Sequence, residues 1–112
     1  MIEVTDTKSK FFIDVDDISA IRAFGNYSLV YSKGEEYLAG VNLSSMERKL
    51  GERFFRCHRC WLINMDKMAQ VETAQNSGWQ IRLNGLNEQV PIGRRRYKTF
   101  KGIITEEIKS VA

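Results

Sequence analysis

One proline, one histidine and two cysteines occur in 112 residues, and each scarcity excludes something. With a single proline and no Ser-rich or low-complexity tract, nothing in the chain reads as a linker, so residues 1–112 are expected to form a single domain. Two cysteines cannot build the disulfide framework of a small secreted protein. No apolar run approaches the roughly 18 to 20 residues of a spanning helix, and the acidic N-terminus lacks the basic start and apolar centre of a signal peptide. A cytoplasmic protein with no membrane partner is therefore expected. A G-x-S-x-G elbow, a phosphate-binding glycine loop and a helix bearing paired metal ligands are all missing, so neither an enzyme nor a cofactor is expected.

What the chain has in quantity is apolar and charged residues, 43% and 28% of the total, enough for a domain with one core and no metal or disulfide to hold it. The net charge of +3 hides an asymmetry. Residues 1–55 carry 7 Lys/Arg against 9 Asp/Glu, and residues 56–112 carry 10 against 5. A cationic C-terminal half interleaved with aromatic and polar groups points to an acidic partner, and to nucleic acid before membrane.

The pattern is mostly β. Strands are predicted over residues 2–5, 10–15, 18–24, 27–32 and 36–41 from β-branched and aromatic enrichment with partial alternation. Gly25-Asn26 and Lys33-Gly34 supply hairpin turns between them. Residues 42–51 predict a short helix with Leu43, Met46 and Leu50 on one face, Ser44 and Glu47 as a capping box, and Gly51 at its end. The β pattern returns over residues 54–64, 68–74, 79–83 and 88–92, with turns at Asn76-Ser77-Gly78 and Asn84-Gly85. A final helix is predicted from Arg94, its stripe of Tyr97, Phe100, Ile104, Ile108 and Val111 facing the sheets.

Two segments carry the chemistry. Phe54-Phe55-Arg56-Cys57-His58-Arg59-Cys60-Trp61-Leu62-Ile63-Asn64 alternates apolar with cationic residues, as a buried strand with exposed cations would. Strict alternation cannot hide all its apolar groups, so a bulge or strand end near His58-Arg59-Cys60 is expected to project Arg59. His58 is balanced between a structural hydrogen-bonded role and a phosphate contact, and Asn64 reads as a turn residue. In the second segment, Arg94, Arg95, Arg96 and Tyr97 open the last helix, where positive charge opposes the macrodipole and an anion would reverse the cost. Successive helical residues point about 100° apart, so one of the three arginines is expected to reach a base edge and the others the backbone.

Cys57 and Cys60 form a C-x-x-C, so a redox or zinc module is one alternative. A tetrahedral zinc site needs further ligands, and the only histidine lies inside the motif. Small core residues are the better reading of these thiols. A scaffold for an acidic protein partner is the other alternative.

These segments resemble the LytTR-type DNA-binding domain, an output module of bacterial response regulators. Phe54-x-Arg56-x-His58-Arg59-x-Trp61-Leu62-Ile63-Asn64 is similar to its central signature, and Val90-Pro91-Ile92-Gly93-Arg94-Arg95 to its later one; the likeness runs from about Ile13 to Lys101. It implies an elongated arrangement of small antiparallel sheets with a short central helix and a C-terminal helix. It also implies sequence-specific binding of double-stranded DNA for transcription regulation, with loops entering the major groove of promoter repeats. On this likeness Asn26, with Tyr27 beside it, occupies the first reading loop, Arg59 the variable contact position, and Arg94 the signature arginine. Gly93 and Cys60 stand where serine is common in the family. The candidate DNA-binding residues are thus Asn26, Tyr27, Arg56, His58, Arg59, Arg94, Arg95, Arg96 and Tyr97. A receiver domain in a full-length protein, and pairing on adjacent DNA repeats, are the further partners that the resemblance implies.

Overall fold

The computed structural model describes residues 1–75 and 78–111, with side chains as far as residue 104. Among the described residues ten strands build two antiparallel sheets. They are β1 (Ile2–Thr5), β2 (Lys10–Ile13), β3 (Ile18–Phe24), β4 (Tyr27–Ser32), β5 (Glu35–Ala39), β6 (Phe54–His58), β7 (Trp61–Asn64), β8 (Met68–Thr73), β9 (Trp79–Leu83) and β10 (Val90–Ile92). The large sheet has the order β2-β1-β5-β4-β3-β7-β6, and the small one β10-β9-β8. Helix α1 spans Leu43–Leu50 and α2 spans Arg94–Val111. The principal extents are 45 × 32 × 23 Å, an elongated body.

The middle of the large sheet is covered on both faces, which is why Ile18, Ser19, Ala20 and Ile21 are all buried. One face packs Ile21, Val30, Phe54 and Leu62 beneath Leu43 and Met46 of α1. The other packs Ala20, Tyr31, Cys57, Trp61 and Ile63 beneath Ile81 and Val90 of the small sheet and Phe100 of α2. Phe100 lies 5.7 Å from Phe55 between ring centroids, and Tyr97 stacks on Trp79 at 4.9 Å, so α2 is pinned to both sheets.

Turn chemistry follows expectation at two hairpins. Gly25 at φ 58° links the Phe24↔Tyr27 pair, and Lys33 and Gly34 at φ 51° and 80° link Ser32↔Glu35, the positive dihedrals that two-residue hairpin loops require. Other expectations are corrected. Residues 54–64 are the hairpin β6–β7, paired Phe54↔Asn64 through His58↔Trp61, with a register shift between Phe55 and His58 and the expected strand end at His58; what the β pattern does not show is that the chain reverses there. The cap of α1 is Asn42, whose side chain accepts from Ser45 N–H at 2.8 Å; Ser44 lies inside the first turn, and Glu47 bonds Arg56 instead. Asn64 does form a turn, accepting from Asp66 N–H at 3.0 Å while its amide donates to the Ile18 carbonyl at 2.8 Å. Asn76 and Ser77 of the expected turn, and the side chains of Ile108 and Val111, lie outside the described residues.

Candidate nucleic-acid interface

Register brings three distant segments to one end of the large sheet. β3 ends at Phe24, and its turn, Gly25-Asn26, returns through Tyr27. β7 runs antiparallel beside β3 with Arg22↔Trp61, and Ala23 N–H donates to the Cys60 carbonyl at 2.8 Å. The Arg59-Cys60 turn therefore sits level with the end of β3 that leads into the Gly25-Asn26 tip. On the far side of β6, Gly93 N–H donates to the Cys57 carbonyl at 2.7 Å and sets the start of α2 beside His58. Asn26, Arg59 and Arg94 thus follow one another along one edge, and all three are exposed.

The arginines divide into two groups. Among the described residues, the ion pairs engage Lys33, Arg53, Arg56 and Arg82. None engages Arg59, Arg94 or Arg95. Arg56, in contrast, turns inward: its side chain is 15% exposed and reaches the Glu47 carboxylate at 3.0 Å. Its Nε donates to the His58 carbonyl at 3.1 Å, and its guanidinium also donates to the Arg59 carbonyl. Arg96 donates to the Arg56 carbonyl at 2.9 Å. The 100° rotation per helical residue accounts for the split of the triplet, with Arg94 and Arg95 outward and Arg96 against β6. The Gly93 N–H is occupied by Cys57, so an anion at this helix start would meet the N–H groups that follow it.

His58 closes its own turn, since Nδ1 accepts from Cys60 N–H at 3.1 Å and the neutral ring therefore carries its proton on Nε2. Partial burial, then the charges of Arg59, Arg96 and Arg56, push its pKa below the ordinary imidazole value. Because the folded value lies below the unfolded one, stability from the neutral ring is complete above about pH 6.5 and is lost as pH falls through the folded value. With one histidine in the chain, a proton NMR titration reads this group alone. Its midpoint is expected below that of a histidine peptide; a midpoint at or above the peptide's would contradict the geometry.

Beyond Arg94 lies a cleft of ≈ 870 Å³ between the ends of β8 and β9, β10 and the start of α2. His58, Thr73, Gln75, Gln80 and Gln89 line it with Arg94. Donors of this kind suit sugar and phosphate oxygens.

The cysteine chemistry is not favoured. Cys57 is buried, donates weakly to the Pro91 carbonyl at 3.6 Å, and has its thiol pushed up to about 12 by burial. Among the described residues no group of three or more His, Cys, Asp or Glu side chains is placed to hold a metal. Among the described residues no helix is long and apolar enough to cross a membrane.

Reading the sequence alone missed Arg22 and Phe24. Arg22 lies over the Trp61 ring at 5.1 Å, and Phe24 is exposed at the tip. Alternation along β3 places both on one face, but the adjacency of β7, which brings Trp61 and Arg59 beside them, is a non-local pairing with no local signal.

Comparison with known proteins bears on the family and the fold. Residues 8–105 match the family model described as the LytTr DNA-binding domain. The chain is 31% identical over 91 residues to the transcriptional regulatory protein YpdB of Escherichia coli K12, covering 80% of this chain and 37% of that one. It is 30% identical over 97 residues to the transcriptional regulatory protein BtsR of Salmonella typhi, covering 84% and 38%. The CO-responsive transcriptional regulator RcoM of Rhodospirillum rubrum is 24% identical over 94 residues, with 83% and 40% covered. The chain therefore spans about two fifths of the length of these relatives. A solved LytTr DNA-binding domain from Bacillus cereus superposes with a TM-score of 0.81 at 16% identity, covering 92% of this chain and 94% of that one, and so shares the fold. Two sheets, two helices, a cationic edge and a family match across most of its length lead to one conclusion: the chain belongs to the LytTr DNA-binding domain family.

Proposed function

We propose that the domain regulates transcription by reading double-stranded DNA with its cationic edge, Asn26, Arg59 and Arg94 meeting base edges in the major groove. Arg95 and Tyr27 flank them, Arg95 on a phosphate. His58 and Tyr97 border the same edge, His58 lining the cleft and Tyr97 supporting the helix start by its stack on Trp79. Arg56 and Arg96 serve as positioning residues, their guanidinium groups being committed to the protein's own carbonyls. What carries the reading is the convergence of two turns and a helix start, distant in sequence, on one sheet end, with cations that are free of ion pairs among the described residues.

Phosphate neutralisation supplies affinity that is not sequence-specific, and base contacts supply discrimination. The partner is promoter DNA carrying adjacent repeats, on which two copies raise each other's effective concentration. In the whole protein a receiver domain supplies the signal, as in a two-component response regulator. The domain is cytoplasmic, has no enzymatic activity of its own, and uses no cofactor.

Random-site selection followed by gel shifts tests this. Recovery of spaced direct repeats is the expected result; salt-dependent binding to any polyanion without discrimination would instead indicate a scaffold for acidic partners. Arg94→Ala is expected to cost about 1 to 3 kcal/mol on the preferred site and to relax discrimination there. Arg95→Ala is expected to weaken all sequences evenly and to lower the salt slope by about one unit. Cognate affinity untouched by Arg94→Ala would remove that residue from the reading set.

A further inference from the structure

The tip between β3 and β4 carries an apolar pair that the fold does not use. Phe24 and Tyr27 are 56% and 49% exposed, and they are directly opposed cross-strand partners, so both rings leave the same sheet face. Further back, that face holds Arg22 and Leu29, then Ala20 and Tyr31, where the second core covers it. Neither tip ring is part of the aromatic stacks among the described residues, which join Phe11 to Tyr37, Tyr31 to Trp61, Phe55 to Phe100 and Trp79 to Tyr97.

The support beneath the pair is stiff. β3 is bonded on both sides, to β4 and to β7, and Gly25 turns the chain in two residues. An isolated exposed ring is ordinary. Two in register at the end of a rigid ribbon, between Arg22 and the Arg59 turn, form a small apolar surface flanked by cations.

We propose, on the DNA-binding reading above, that Phe24 and Tyr27 recognise the C5-methyl groups of thymine in the major groove. A groove about 12 Å wide admits a two-stranded ribbon, and the methyl group is the one apolar feature that an A·T pair displays there. Arginine and asparagine at Arg59, Arg94 and Asn26 suit guanine and adenine. The apolar pair supplies the thymine contact that those side chains cannot make. Both rings have few rotatable bonds and are held in register, so little freedom is lost when they dock.

The test uses the full chain and its selected site. Each thymine is replaced singly by deoxyuridine, which removes the methyl group and leaves every hydrogen-bonding group in place. At one or two positions binding is expected to weaken about fourfold, the effect of one methyl group removed from water. Phe24→Ala is expected to bind the thymine and uracil sites equally there, whereas Arg94→Ala weakens both and keeps the difference between them. Phe24→Leu, which remains apolar, is expected to retain part of the preference, and Phe24 is exposed enough that neither change should lower the melting temperature appreciably. Indifference to uracil at every position, or a Phe24→Ala variant that keeps the full preference, would overturn the assignment while leaving sequence-specific binding intact. A chain that selects no sequence would overturn both.

Discussion

Phe100→Ala is expected to destabilise the domain by about 3 to 5 kcal/mol, measured as a lower urea midpoint at unchanged slope. The ring is fully buried and lies among Cys57, Ile63, Val90 and Ile92 in the second core, with Phe55 at 5.7 Å. Removing it leaves a cavity between α2 and two sheets whose strands are held by their own ladders, so the site cannot collapse easily. Since a domain of this kind has only about 5 to 15 kcal/mol in total, the loss is a large fraction of its stability. The start of α2 keeps the Gly93 bond to Cys57 and the Tyr97–Trp79 stack, so Arg94 should stay near its place while the domain remains folded. DNA affinity is then expected to fall mainly through the unfolded fraction and to recover on cooling toward the temperature of greatest stability. A cost below about 1 kcal/mol would mean that α2 is not docked through this ring.

Much of the fold was legible because its signals are local. Ile2 and Val4 alternate with exposed Glu3, and Gly25-Asn26 and Lys33-Gly34 announce turns that need positive φ. The β6–β7 hairpin was not legible as such, because Arg59 and Cys60 are not turn-forming types and neither adopts positive φ. Side chains replace the missing turn signal: His58 Nδ1 accepts from Cys60 N–H, and Arg56 bonds the carbonyls of His58 and Arg59. The cationic residues of the edge could be named from sequence, but not sorted. Whether an arginine faces solvent or a carbonyl depends on Glu47 and on backbone atoms contributed by other elements, and no spacing rule carries that information. Arg22 and Phe24 were missed for the same reason.

The sorting has a direct consequence for Arg56, whose replacement by alanine is expected to cost about 2 to 3 kcal/mol of stability and to weaken specific DNA binding strongly. A charged hydrogen bond contributes about 1.5 to 3 kcal/mol, and Arg56 makes such bonds to two carbonyls of the turn that presents Arg59. The pair with Glu47 adds little, since that carboxylate is 44% exposed and screened. Water can satisfy the freed carbonyls, which holds the cost to this range, but it cannot hold their orientation. Arg59 should then sample many directions, and, on the proposed reading, sequence discrimination should fall further than affinity for random DNA. Arg56→Lys keeps the charge and lacks the planar fork, so it is expected to restore only part of the loss. The salt slope separates positioning from contact. A guanidinium that neutralises a phosphate lowers the slope by about one unit when removed, whereas one that braces a turn leaves it unchanged. An unchanged slope with lost discrimination is expected for Arg56→Ala; a slope lower by one unit, with discrimination intact, would return Arg56 to the set of residues that touch the duplex.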